Sequence, residues 1–266
     1  MAVQPGEDIQ KERSDYQSDK LFYWLSAMSH EIRTPLNAIV GFSGLLMEGR
    51  VTEEEQEEFS RLINRNSRRL LEIISNLTDL ARIEAGSIKF YPGPTSVHRM
   101  MDDLEKEAQE ISLMYGESAP QTIFTNKYNT RKLFLLDWPR LFQVLIILLD
   151  NSIKFSDGGA VQVTLTKTEA NHIQFIISDN GPGMDEETLR DLFDLFPYES
   201  TEKNVKIKSR GLGMVLVQKM CELMGITLDT KSKPGKGSTF TLTLPQLAQV
   251  SSASDAGQAL GLHPSF

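Results

Sequence analysis

The chain has 266 residues, 40% of them hydrophobic and 24% charged, and a formal net charge of -8. That length allows one large domain or two ordinary ones, the composition specifies a packed protein rather than a disordered one, and the acidic balance makes nucleic acid a poor partner. A single cysteine, Cys221, excludes an internal disulfide, and no apolar run reaches the ~20 residues that span a bilayer. The first residues also lack an apolar signal core, so the expected location is the cytoplasm, free or as the cytosolic part of something longer.

Residues 1–14 are polar and read as a flexible arm. From about 15 to 48, Leu25, Ile32, Ile39 and Leu46 fall seven apart, and Met28, Pro35 and Phe42 fill the companion row. This is an a/d heptad seam along a helix. Inside it stands MSHEIRTPLN, residues 28–37. In the heptad frame His30 falls away from the seam, and Thr34, four residues on, lies on the same exposed face. Pro35 lacks an N–H and its ring crowds the carbonyl of Glu31, so a bend or loosened turn is expected beside the histidine. A neutral imidazole is a good nucleophile near neutral pH. Glu31, placed on the other ring nitrogen, would accept the proton released on attack. Arg33 can meet phosphate oxygens or simply keep the helix soluble.

The stretch EGRVT breaks the heptad pattern. Thr52 with Glu55 then reads as a capping box, and the glutamates around it suit the positive end of a second helix. That helix is expected to run to about Ala85 on the stripe Phe59, Ile63, Leu70, Ile73, Leu77 and Leu80, with Gly86 as its C-cap. A two-helix hairpin buries one seam, which predicts dimerisation into a four-helix bundle. Asn66 either fixes register in that seam or sits solvated at its edge. The proline-containing GSIKFYPGPTSV, residues 86–97, reads as the interdomain linker.

Downstream the pattern is mixed. Helices are expected at about 96–114, 138–154, 185–193 and 211–224, and strands at 133–136, 160–168, 172–179, 226–232 and 238–245, the pattern of an α/β sandwich. Residues 246–266 are rich in Ser, Ala and Gly and read as a disordered tail.

Four segments of this half carry ligand chemistry. In LLDNSIKFSDGG, Asn151 can ligate magnesium through its amide oxygen, and Lys154, about one turn on, can reach phosphate. In SDNGPGMDEE, Asp179 ends a strand and can accept a hydrogen bond from the exocyclic amine of adenine, while Gly181 and Gly183 permit tight turns and close ligand approach. In SRGLGMVL, Gly211 and Gly213, with Leu212 between them, open a helix whose exposed N–H groups suit phosphate. In PGKGSTF, Gly235 and Gly237 form a turn into the last long strand. Each segment alone also has an ordinary structural reading. No Walker A pattern occurs, which disfavours a P-loop kinase.

Taken together, SHEIRTPLNAIVGFSGLL and the ordered segments after it resemble the H, N, G1, F, G2 and G3 boxes of the sensor histidine kinases of two-component signalling. The resemblance covers about residues 16–245. It implies an α+β multidomain protein: a phosphoacceptor hairpin at 15–86 that dimerises into a four-helix bundle, a linker at 87–95, and at 96–245 an α/β sandwich of the gyrase, Hsp90, histidine kinase and MutL type. It also implies ATP and Mg²⁺ as cofactors, His30 as phosphoacceptor with Glu31 as its acid/base partner, and Thr34 as a positioner of water in dephosphorylation. Asn151, Lys154, Asp179, Gly181, Gly183, Gly211, Leu212, Gly213 and Thr239 become the nucleotide set, with Asn151 on the metal. LFDLFP is similar to the F box, and the basic residues Lys203, Lys206, Lys208 and Arg210 to a lid over ATP. The implied partners are a second copy of the chain and the receiver domain of a response regulator.

The sequence departs from the family pattern at two places on the phosphate side. Ile147 stands where a first N-box asparagine is usual, and Ser209 where the G2 box usually opens with glycine. The expected activity is autophosphorylation of His30 from ATP and transfer to a regulator aspartate. The alternative is a slow or degenerate kinase that acts mainly as a regulator phosphatase or a dimeric scaffold.

Overall fold

The computed structural model describes residues 28–49, 51–116, 119–156, 158–193 and 212–250. The described residues divide into two compact units, one ending at Leu80 and the other opening at Ala81.

The first unit is helical. Helix α1 covers residues 28–47 and helix α2 covers Glu53–Glu84. Met28 and Pro35 are buried, and Ile32, Ile39, Phe42 and Leu46 are half-buried, which follows the heptad seam. Phe42 packs on Phe59 with ring centroids 5.4 Å apart, joining the two helices. The capping box forms: the Thr52 N–H donates to Glu55 Oε2 at 2.8 Å, and the Glu55 N–H donates to Thr52 Oγ1 at 3.2 Å. At the far end the Gly86 N–H donates to Ile83 and the Ser87 N–H to Arg82, with Gly86 at a φ of 61° that favours glycine. Asn66 does not reach across the seam; its amide donates to the Leu62 carbonyl at 2.7 Å within its own helix.

Pro35 produces no break. The helical run continues through it to residue 47. A proline removes only the N–H that would have bonded the Glu31 carbonyl. Within that run the Thr34 hydroxyl donates to the His30 carbonyl at 3.1 Å.

The second unit is an α/β sandwich. Its main sheet has the order β2 (Gln121–Asn126), β4 (Ala160–Lys167), β5 (Ile173–Asp179), β7 (Ser238–Thr243) and β6 (Thr227–Ser232). β2 and β4 run parallel and the other neighbours antiparallel. One face is apolar, with Val161, Val163, Leu165, Phe175, Ile177, Phe240 and Leu242 buried. The other carries Gln162, Thr164, Gln174, Ser178, Thr239 and Thr241, the alternation of a sheet with one solvated face. Helices α3 (Val97–Tyr115) and α4 (Trp138–Phe155) pack on one another, and α4 lies on β5. The Trp138 indole N–H ties the two helices by donating to Asp103 at 2.7 Å. Asp137 caps α4 by accepting from the Arg140 N–H at 3.1 Å, and its other oxygen accepts from the Tyr91 N–H at 2.6 Å. A short helix, α5 (Glu186–Arg190), follows β5, and α6 (Leu212–Met224) precedes β6.

A second, small sheet has the order β1 (Gly93–Ser96), β3 (Leu133–Leu136) and β8 (Gln249–Val250). Two sequence expectations change here. The stretch 86–97 is not all linker, because its last residues pair with β3. Residues 246–266 do not all read as tail, because Val250 pairs with Leu133 and the Leu135 N–H donates to the Ala248 carbonyl at 2.9 Å. Both segments are too short and too polar for an alternating pattern, and only a distant partner strand organises them. Among the described residues no helix is long and apolar enough to cross a membrane.

Thr52→Ala removes one half of the capping box and leaves the buried seam intact. It should lower the unfolding free energy by about 1 kcal/mol, read as an earlier midpoint in urea or thermal denaturation.

Candidate functional site

Asp179 is the best-defined polar group of the second unit. The alternation of β5 points Ile173, Phe175 and Ile177 at the helix layer, and the same parity carries Asp179, the last residue, to that face at 6% exposure. Its Oδ1 accepts from the Gly181 N–H at 2.9 Å and from the Ser238 N–H at 3.1 Å. Burial holds the carboxyl above the usual carboxylate range, and these two hydrogen bonds and the nearby Ser152 hydroxyl pull it partly back. Both backbone donors use Oδ1. Oδ2 is left as an acceptor for something outside the loop.

The glycines at this site answer to space as well as to conformation. A Cβ on Gly181 would lie 2.5 Å from the Phe155 carbonyl oxygen and 2.9 Å from Asp179 Oδ1. A Cβ on Gly237, at a φ of 74°, would overlap the Asp179 carbonyl outright. The loop is pinned further by Ser232, whose hydroxyl donates to the Gly237 carbonyl at 2.9 Å and accepts from the Met184 N–H at 2.8 Å. Gly183, also at positive φ, faces the Lys233 carbonyl where a side chain would collide.

Asn151 and Lys154 lie on the last turns of α4. The Asn151 amide donates to Met214 Sδ on α6 at 3.2 Å, and its oxygen is the atom of the side chain that can ligate a metal. Lys154 is exposed, with its ammonium 5.0 Å from the centre of the Phe155 ring. Ile147, one turn before Asn151, is filled into the start of α6: a Cβ on Gly213 would sit 2.9 Å from its Cγ2. Gly213 is therefore required by an apolar contact as well as by any ligand. Leu212 is buried at the first turn of α6. Gly211, Ser209, Pro197 and the basic residues Lys203, Lys206, Lys208 and Arg210 lie outside the described residues.

One expected site residue is displaced. Thr239 faces away from Asp179: it pairs with Ser178 across the ladder, and the two hydroxyls are 2.9 Å apart on the solvated face. Ser238 takes the position next to Asp179, with its N–H on the carboxylate and its hydroxyl 3.0 Å from that of Ser232. The parity of the strand held the answer, since Phe240 and Leu242 must face the core and Ser238 shares their side. Ser152, 2% exposed and on the core side of α4, is the other group that the motif reading passed over.

On the hairpin, His30 and Thr34 are exposed and Glu31 is half-buried. The structure sets them along one helix as expected, with no hydrogen bond joining the His30 and Glu31 side chains among the described residues. Thr34 is engaged with the His30 carbonyl. Buried Cys221 is no rival nucleophile, because its thiol is pushed up to about 12 by burial. Among the described residues, no three His, Cys, Asp or Glu side chains gather as a metal cage.

Comparison with known proteins covers both units. Residues 22–86 match the His Kinase A (phospho-acceptor) domain, and residues 136–248 match the histidine kinase-, DNA gyrase B- and HSP90-like ATPase family. The chain is 34% identical to the circadian input-output histidine kinase CikA of Synechococcus elongatus over 84% of its own length and 30% of that protein. It is 33% identical to the virulence sensor protein BvgS of Bordetella bronchiseptica over 88% of its own length and 19% of that protein. It thus spans less than a third of either relative. Among solved structures, the histidine kinase AdeS of Acinetobacter baumannii has the same fold, with a TM-score of 0.58 and 20% identity over 81% of this chain and 96% of that one.

Two measurements test the Asp179 site. Binding of an adenine nucleotide should weaken on acidification as the carboxyl protonates, and at a higher pH than an ordinary carboxylate would give, because the folded-state value is raised; Asp179→Asn should flatten that dependence in a titration series. Gly181→Ala forces a Cβ against backbone at 2.5 Å. It should cost about 1–3 kcal/mol of stability and remove nucleotide binding, checked by thermal melts with and without nucleotide.

Proposed function

Because this chain belongs to the sensor histidine kinases of two-component signalling, we propose that it takes the γ-phosphoryl group of ATP onto His30 and passes it to an aspartate of a response regulator. The observation that carries this reading is the pairing of two features in one chain: a solvent-facing histidine on a rigid hairpin, and a buried carboxylate with one oxygen fixed and one left to read a base.

In this reading Asp179 Oδ2 accepts a hydrogen bond from the exocyclic amine of adenine. Gly181 and Gly183 keep the loop close enough for the base to enter. Lys154 and the start of α6, with Gly211, Leu212 and Gly213, neutralise and orient the phosphates. Asn151 would hold Mg²⁺ through its amide oxygen, and the ion would supply charge neutralisation for the phosphates when bound. His30 attacks the γ-phosphorus, the bond to the bridging oxygen of the leaving ADP breaks, and the imidazole proton passes to Glu31. Most of the rate comes from positioning and charge rather than from covalent help by other side chains. Thr34 places water when the same face dephosphorylates the regulator.

The active species is a homodimer, in which apolar side chains left exposed beside the seam of one hairpin, including Leu36, Val40 and Leu71, are buried in a four-helix bundle. The second partner is a regulator receiver domain, docking near His30 on the cytoplasmic side. Hairpin residues 15–86 and an ATP-binding part that starts with β1 and closes with β8 are the working division of the chain.

Incubation with γ-labelled ATP and Mg²⁺ should give an acid-labile, base-stable label that His30→Gln abolishes. A folded dimer that takes no label under any metal condition overturns the proposal. The alternative of a slow kinase acting mainly as phosphatase or scaffold rests on Ile147, whose hydrocarbon meets Gly213 where a second amide ligand is usual. Ile147→Asn should raise the initial labelling rate several-fold if the phosphate site limits it, and an unchanged rate removes the ground for that alternative.

A further inference from the structure

Two side chains one turn apart on α4 meet two consecutive residues at the start of α6. Ile147 lies against Gly213, where a Cβ would stand 2.9 Å from Ile147 Cγ2. Asn151 lies against Met214, its amide nitrogen donating to Sδ at 3.2 Å. The first contact is hydrocarbon against backbone and offers no ligating atom. The second joins a half-buried amide to a methionine that is 6% exposed, on a turn with buried Leu212 and Val215. A methionine side chain is flexible, and burial is what gives its sulfur a fixed place. An amide presents nitrogen and oxygen on nearly the same outline, so packing alone does little to separate its two flips. The sulfur separates them. It has lone pairs and no hydrogen to give, so it accepts from the nitrogen and repels the oxygen. A half-turn of the amide would exchange a hydrogen bond for facing lone pairs.

We propose that Met214 is a positioning residue of the phosphate side, whose sulfur holds the Asn151 amide in the flip that presents its oxygen, and not its nitrogen, to a bound divalent cation. The inference rests on the reading of ATP with Mg²⁺ given above and adds a residue to it. Mg²⁺ takes oxygen ligands, so the opposite flip would set N–H groups at the ion. Ile147 makes the choice of flip matter more. The turn of α4 before Asn151 meets α6 with hydrocarbon, so at this contact a single oxygen is the ligand that α4 can offer. The thioether is a soft donor and a poor ligand for a hard cation, so Met214 acts through Asn151 and not on the metal itself.

The test compares the full chain with Met214→Leu, Asn151→Asp and the double variant. Leucine keeps the bulk and the apolar character of Met214 and removes the acceptor. The first readout needs no metal: the side-chain amide signal of Asn151 in nitrogen-15 NMR, assigned by its loss in Asn151→Asp. In Met214→Leu that signal should shift toward a solvated amide and lose its rigidity. The second is isothermal titration with ADP, with and without Mg²⁺, which gives the factor by which the ion tightens the nucleotide. Met214→Leu should lower that factor about 3- to 10-fold and leave metal-free ADP binding unchanged. The two oxygens of a carboxylate are equivalent, so in the Asn151→Asp host the same methionine substitution should not lower the factor. An unmoved amide signal or an unchanged Mg²⁺ factor in Met214→Leu overturns the inference. So does a lower melting temperature with an unchanged factor, the mark of a methionine that only packs, or an equal loss in the Asn151→Asp host. The ATP reading fails differently, and the inference with it: the parent chain then binds no ADP, or Mg²⁺ does not tighten it.

Discussion

The Oδ1 atom of Asp179 takes two backbone N–H groups, from Gly181 and Ser238, and in doing so ties the end of β5 to the loop after it and to the start of β7. The geometry of the nucleotide half follows from that junction. The two donors fix the carboxylate rotamer, which directs the second oxygen away from the loop. They also offset part of the cost of placing a charge at 6% exposure. The tightness has a steric consequence: Gly181 and Gly237 approach the Phe155 and Asp179 carbonyls too closely for any side chain. A charge is thus held in a buried place chiefly by backbone donors, and the glycines are what let the backbone come near enough.

The hairpin applies the opposite logic to His30. Its position is set by a seam on the far side of α1, where Met28 and Pro35 are buried, and among the described residues the imidazole is exposed. The proline was expected to loosen the turn and does not interrupt it. Thr34 donates its hydroxyl to the His30 carbonyl in the turn just before the missing N–H. The helical run is continuous beneath the histidine.

The sequence was legible wherever a single period or a cap decides the outcome. The heptad seam, the Thr52–Glu55 box, the Gly86 stop and the long strands β4, β5 and β7 follow from local rules, because each is stabilised by residues a few positions apart. Strands β1, β2 and β8 went unread. They are short, carry little hydrophobic alternation, and exist because a partner far along the chain supplies their hydrogen bonds. In the site, motif reading singled out Asp179, Gly181, Asn151 and Thr239, and the structure puts Ser238 rather than Thr239 beside the Asp179 carboxylate, a matter of strand parity that a motif does not display.

The small sheet sets an order of events during synthesis. Val250 pairs with Leu133, more than a hundred residues earlier, and Gln249 with Phe134. A ribosome releases β1, β3, α4 and the strands β2, β4 and β5 well before the strand that covers the remaining edge of β3 exists. Closing so long a loop is slow compared with forming local pairs. In the interval β3 exposes a bare edge, the kind of surface that invites pairing with other chains. The two residues of β8 thus act late, as a seal on a nascent chain whose core has already formed.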